Sequence, residues 1–458
     1  MRWGRWTTSL LVGALASLSV PAAAADNSAE AKDILKRSIA FKTVKGQGQV
    51  PRYAAWLASV LRDAGLPAGD IKITPVGETA VLTARYRGTT SAKPLVLLGH
   101  MDVVEADPKD WERDPFTAIE ENGFIYGRGA EDNKFDIAMM LATVAQLKRE
   151  GFKPRRDIVF ALSGSEETSW ESTRVLADQL KGVELVLNGD GGGGLLDAKG
   201  RPIFYGLQAG EKTYADFQIE ATDAGGHSST PTPGNPIHRL STVLDRLARH
   251  RFAPMANELT KASLRDTARK VGGELGAAMQ RYAANPKDVA AAEIIASKPE
   301  FVGQIRTTCV ATTINGGHAE NALPQRATAN VNCRIFPGVA IETVRQELSR
   351  VSGDPSAKIT VLNDAVASGA SPLRPDVMQA VQKAVKQRYP GLKVTPSMSA
   401  GATDGAIFRA ANVPVYGVSG LFQKAEDSFA HGLNERIPVA QIAPALAHYR
   451  SIIVELAK

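Results

Sequence analysis

Apolar residues along this chain fall into short unbroken runs and helix-like stretches, and the two kinds alternate. Leu95 to Leu98, Asp157 to Ser163 and Val183 to Leu187 read as strands buried on both faces, because such runs are too short for helices and carry no polar alternation. Pro51 to Ala64 and Asn133 to Arg149 are the clearest helices. The alternation over Asp26 to about Gly210 predicts an α/β layer fold with a largely parallel central sheet. From about Glu211 the pattern changes. Tyr214 to Asp223 alternates as a strand, Asn235 to Arg249 is helical, and a mostly helical stretch runs from Asn257 to Ser297. Two β-branched strands follow, around Cys309 and Cys333, then a helix from Ile341 to Ser352. Ala357 to Asp364 closes this unit, and the layer pattern resumes with a helix from Pro375 to Arg388.

A chain of 458 residues exceeds the size at which one core stops growing. The pattern divides it into a first catalytic part, 26–210, an inserted unit, 211–364, and a second catalytic part, 365–458. Hydrophobic content of 44% and charged content of 22% are ordinary for a soluble globular enzyme. The formal charge of +6 is spread without a basic block, which argues against a nucleic-acid partner.

Residues 1–25 read as a targeting segment. Arg2 and Arg5 open it, Leu10 to Val20 is apolar but too short to span a bilayer, and Ala22 to Ala25 offers small-residue cleavage sites. No cysteine lies near the cut, and nothing later is apolar for long enough to be a membrane helix. The expectation is a periplasmic or secreted protein without a membrane anchor. In an oxidising compartment Cys309 and Cys333, on strands joined through Gly316-Gly317 and Asn321 to Pro324, leave two readings open: a disulfide, or two free buried cysteines.

The chemistry sits at the ends of the apolar runs. Gly99-His100-Met101-Asp102, Gly127 to Asp132, Ser165-Glu166-Glu167-Thr168, Asn188-Gly189-Asp190-Gly191 and His431 to Glu435 each place an acid or imidazole next to glycine or another small residue. Strand ends are where an α/β sheet presents side chains to a crevice. Imidazole with carboxylate suits zinc and its neighbours rather than calcium or magnesium. Each motif alone is weak, but three successive buried strands all delivering ligand chemistry point to water made nucleophilic by metal and attacking an amide.

At these residues the chain resembles the di-zinc exopeptidase family of carboxypeptidase G, aminoacylase, succinyl-diaminopimelate desuccinylase and the glycine-X carboxypeptidases. "GHMDVVEADPKDWERDPF", "YGRGAEDNK" and "SGSEET" carry the likeness most strongly, with "GGHSS", "NALP", "CRIFPG", "GATDG" and "HGLNE" adding to it. The resemblance implies that 211–364 is a lid domain, a small antiparallel sheet with two helices, and that a homodimer can form through it. It implies two Zn2+ per chain, with Co2+ or Mn2+ fitting similar ligands. Asp132 would bridge them, His100 and Asp190 would complete one ion, and Glu167 and His431 the other. Asp102 would be the carboxylate that orients the His100 ring, Glu166 the general base, and His227 the oxyanion-stabilising lid histidine, often supplied by a partner subunit. Asn321, Arg334, Gly401 and Thr403 would grip the substrate, Arg334 through its fork to a carboxylate. The peptide bond after Asp132 would be cis. The expected substrate is a peptide or N-acyl amino acid with a free carboxylate. Carboxypeptidase comes first, with aminoacylase and dipeptidase open. An aminopeptidase or esterase on the same metals is the competing class. A zinc-stabilised module without activity would be expected to lack the base or a ligand, and this chain has both.

Overall fold

The computed structural model describes residues 27–362 and 364–458; the expected targeting segment lies outside them. The buried runs form the middle of a ten-stranded sheet. Ile158–Ser163, Leu95–His100, Leu185–Asn188 and Val415–Gly417 lie side by side in parallel. Pro202–Glu211 joins Val415–Gly417 antiparallel and carries Thr395–Ser399 parallel on its other side. A hairpin, Ile71–Val76 and Thr79–Tyr86, extends the opposite edge antiparallel. The fold is mixed α/β, with a large mostly parallel sheet and a small antiparallel one.

Alternation along the central strands explains why both faces are covered. Leu95 and Leu97 face a core built with the helices Ser28–Ile39, Val50–Asp63, Phe135–Arg149, Pro375–Arg388 and Ile442–Ala457. Val96 and Leu98 face a second core with Glu171–Gln179 and Gly405–Ala410. Polar side chains therefore reach solvent only where the strands end.

The inserted unit is a four-stranded antiparallel sheet in the order Thr308–Gly316, Arg326–Ile335, Thr213–Thr222, Lys358–Leu362. The helices Pro236–Arg249 and Ile341–Ser352 cover one face around Phe217, Leu240, Val331 and Leu348. Asn235 caps the first by accepting from Ile237 N. Cys309 and Cys333 are direct cross-strand partners, and they form a disulfide. The helical insert Glu258–Ile305 builds a small core of its own. It packs on the catalytic sheet as well: Thr395 Oγ1 donates to Asp266 at 2.6 Å, and Leu259 belongs to the main core. Among the described residues no helix is long and apolar enough to cross a membrane.

Candidate metal centre

His100 ends its strand with only 1% of its surface exposed. Gly99 is required there, since a Cβ would stand 2.7 Å from Asn133 Oδ1. That oxygen accepts from the His100 amide at 3.3 Å, and the Asp132-Asn133 peptide bond that sets it is cis. The imidazole Nδ1–H donates to the carbonyl oxygen of Asp102 at 3.0 Å. A carbonyl can only accept, so Nδ1 carries a proton and Nε2 is the nitrogen left to face the carboxylates. It lies 2.8 Å from Asp132 Oδ1 and 3.9 Å from Asp190 Oδ2.

The Asp102 carbonyl takes the ring's hydrogen bond, while the carboxylate expected from the sequence stands 3.7 Å from Nδ1, at ion-pair rather than hydrogen-bond distance, and still favours the charged imidazole. The carboxylate accepts from the amides of Glu166 and Glu167 at 3.1 and 3.0 Å. It fixes the turn after Ile158–Ser163 that presents both glutamates. Asp190 follows Leu185–Asn188, and its amide is held by Asn188 Oδ1 at 3.1 Å. His431 arrives from the far end of the chain in a left-handed turn with φ 62°. Its Nε2 is 3.0 Å from Glu167 Oε1 and 3.1 Å from Asp132 Oδ2.

The five expected ligands thus meet as two donor sets, His100–Asp132–Asp190 and Asp132–Glu167–His431, each with ligand atoms within 4.8 Å of one another. Asp132 belongs to both and turns one oxygen toward each. The electrostatics fit a cation site. Burial and the neighbouring Asp132 push the Asp190 carboxyl well above its usual range. Burial raises Glu166 likewise, with Asp190, Asp404 and Glu167 adding to it against His100. Hydrogen bonds to Asp132 and Glu167 drive His431 up to about 10. Burial would raise Asp132, but the two histidines beside it outweigh that and hold it below the usual range. Protons on the imidazoles are here the positive charge that so many crowded carboxylates require, and divalent cations would supply it more fully.

A cleft of about 740 Å³ opens beside Glu166, Glu167 and His431, and Arg334 and Gly401 line it with them. Arg334 lies over the Tyr214 ring at 4.6 Å and donates to Ala400 O at 3.3 Å. The other expected substrate groups are elsewhere. Thr403 is buried, its hydroxyl donating to Glu211 Oε2 at 3.0 Å and accepting from Asn188 Nδ2 at 3.1 Å, so it braces the site from behind. His227 and Asn321 are exposed on a two-stranded ribbon, Gly226–His227 with Ala322–Leu323, where Asn321 O accepts from Ser228 N at 3.0 Å. Neither residue lines the cleft.

Three supports carry no sequence assignment. Glu435, fully buried, accepts from the amides of Gly129, Glu131 and Asp132 at 2.9, 2.8 and 3.0 Å and from Arg128 Nη1 at 2.6 Å. It clamps the loop that delivers Asp132. Asp404 accepts from the hydroxyls of Ser163 and Thr173. Glu211 pairs with Arg409 at 2.8 Å inside the protein. Glu435 and Asp404 stand within the strings "HGLNE" and "GATDG", where an acid in a glycine-containing motif was the available signal.

A three-layer α/β sheet with acids and imidazoles converging at its strand ends defines a metal-dependent hydrolase. The chain belongs to the peptidase family M20/M25/M40, whose model matches residues 96–455. It is 29% identical over 362 residues to the N-fatty-acyl-amino acid synthase/hydrolase PM20D1 of Mus musculus, covering 76% of this chain and 71% of that protein. It is 26% identical over 381 residues to a probable carboxypeptidase S-like 2 of Dictyostelium discoideum, covering 79% and 72%. The fold is similar to that of an M20 family metallo-carboxypeptidase from Sulfolobus solfataricus, with TM-score 0.71 and 20% identity over 93% of this chain and 99% of that one.

Proposed function

We propose that this chain is an exported, two-metal amidohydrolase that cleaves the amide bond next to a free carboxylate in a peptide or N-acyl amino acid. The observation that carries the reading is the cleft itself, in which Arg334 stands with Glu166 and His431. A guanidinium fork matches both oxygens of a carboxylate. His100 and Asp190 would hold one ion, Glu167 and His431 the other, and Asp132 both. Zinc fits this donor set, and cobalt or manganese would serve. When bound, such ions supply Lewis-acid activation of water and of the scissile carbonyl. Glu166 accepts a proton from the attacking water and delivers it to the departing nitrogen. Its backbone amide is pinned by Asp102, which fixes the turn that carries it into the cleft.

His227 is the proposed oxyanion group, acting from a second copy of the chain. Its position on an exposed ribbon outside the cleft supports that reading. So does the lid edge strand Thr308–Gly316, where Val310 and Ile314 are 62% and 58% exposed, because an unpaired edge of β-branched residues is a template for pairing. Export rests on the targeting segment and is supported by the disulfide.

The test is a panel of N-acyl amino acids and dipeptides beside their C-terminal amides. Free acids should be cleaved and amides should be slow. Arg334→Ala should impair the acids by about ten- to a hundredfold and leave amides and metal content nearly unchanged. Equal cleavage of acids and amides by the unaltered protein would remove Arg334 from this role. N-blocked substrates separate this reading from an aminopeptidase, which requires the free amine.

A further inference from the structure

The ligating acids are divided between two hollows. The cleft with Arg334 takes Glu167 and His431 into its wall. A separate groove of about 380 Å³ takes Asp132 and Asp190, and no residue lines both. Ala430 lines the groove and the next residue, His431, lines the cleft, so the hollows meet at the proposed metal centre.

We propose that this groove receives the acyl side of the substrate, as an uncharged apolar group of medium size. The inference rests on the reading that Arg334 takes the carboxylate. With the carboxylate in the cleft and the scissile carbonyl at the ligating acids, the chain beyond the carbonyl runs away from Arg334. The groove is the space beside Asp132 and Asp190 that the cleft does not use. Leu195, Phe204 and Leu421 give it apolar walls. Gly191 to Gly194 form bare backbone along it. A side chain at Gly194 would strike the Phe422 ring, and one at Gly192 would come within 2.3 Å of Gly417 O, so this wall cannot close with side chains packed behind it.

Charge sets the rest. No lysine, arginine or histidine lines the groove. Its two acids outside the ligand set are each engaged by three donors. Glu131 accepts from Gln423 Nε2, Ser428 Oγ and Phe429 N. Asp136 accepts from Ser419 Oγ, Gly420 N and Tyr449 OH. Four carboxylates and no cation exclude an anionic group from the groove, the donors already on Glu131 and Asp136 leave few acceptor sites for a polar group to bond, and an acyl chain against the apolar walls needs no partner. The volume is near the lower end of small-molecule sites, which run from about 300 to 1,000 Å³. This suits a medium-length acyl chain rather than a long one.

The experiment compares N-acyl forms of one amino acid, from acetyl to palmitoyl, by kcat/KM. Leu195→Trp, which fills the groove, should lower the octanoyl-to-acetyl ratio at least about tenfold, and Phe204→Ala should move the optimum to longer chains. N-octanoylglycine titrated calorimetrically into Glu166→Gln protein should bind at least about tenfold more weakly once Leu195→Trp is added. An unmoved ratio in both variants, with Leu362→Trp in the cleft shifting it instead, would place the acyl chain under the lid and overturn the proposal. Cleavage of free dipeptides but of no N-acyl amino acid would overturn it while leaving amide hydrolysis intact. No cleavage of either class by metal-loaded protein would overturn the parent reading itself.

Discussion

At the scale of single residues, the account turns on Glu166. Of the cleft acids outside the two donor sets built around Asp132, it is the one next to Glu167, with a carboxylate oxygen close enough to His100 and Glu167 to reach the same ion. Glu166→Gln should keep both metals, since the proposed ligands are untouched, and lose two to four orders of magnitude in turnover, as removal of a general base does. Turnover close to the unaltered protein, with elemental analysis showing full loading, would take the role from it. The proposed ligands were legible because their motifs set acids and imidazoles among glycine and other small residues, with His100, Asp190 and His431 directly beside glycine, and the structure brings all five together. The hydrogen bond from His100 to the Asp102 carbonyl was not, because whether the carbonyl or the carboxylate comes nearer depends on the path of the loop between them. Glu435 was equally hidden: the amide of Gly129 that it holds is 306 positions away, a pairing that no local pattern records.

Among the elements, local pattern was enough wherever an element's own residues decide its state. The helices Ile341–Ser352 and Pro375–Arg388 stand where their apolar stripes placed them. The strands around the cysteines pair with Cys309 opposite Cys333, which settles the disulfide that the sequence left open. What the pattern lacked was partner choice. The helical insert read as part of the lid, yet Glu258–Val271 also packs against Thr395–Ser399 of the catalytic sheet, because an amphipathic stripe specifies burial and not what buries it. The disulfide ties an exposed edge strand to its neighbour across a separation of 24 residues. A crosslink closing a loop of that length stabilises by roughly 3 kcal/mol through the unfolded state. Cys309→Ala with Cys333→Ala should lower the stability of the lid by about 2–4 kcal/mol, read as a shift in urea midpoint, and reduction of the unaltered protein should reproduce it. An unchanged midpoint in both experiments would show that the strand pairing holds without the crosslink.

For the whole molecule, the proposed chemistry and the recognition lie on different units. The proposed ligands and Glu166 sit in the layers of the large sheet, while Arg334, His227 and Asn321 sit in the unit of the small one. Layer order and the insertion could be read from the alternation of strands and helices, but the two hollows flanking the ligating acids could not, since loops far apart in the chain form their walls. If His227 acts across a dimer, mixing inactive Glu166→Ala and inactive His227→Ala protomers should restore part of the activity, because one mixed site then carries both groups. Demonstrated subunit exchange without recovery would confine His227 to its own chain or leave it without a catalytic part. Everything in this arrangement depends on cations at Asp132. Anomalous diffraction from crystals grown with zinc tests that most directly. The account predicts two peaks per chain flanking the Asp132 carboxylate, one beside His100 and Asp190 and the other beside Glu167 and His431. A single peak, or peaks away from Asp132 in crystals of active, metal-replete protein, would contradict it.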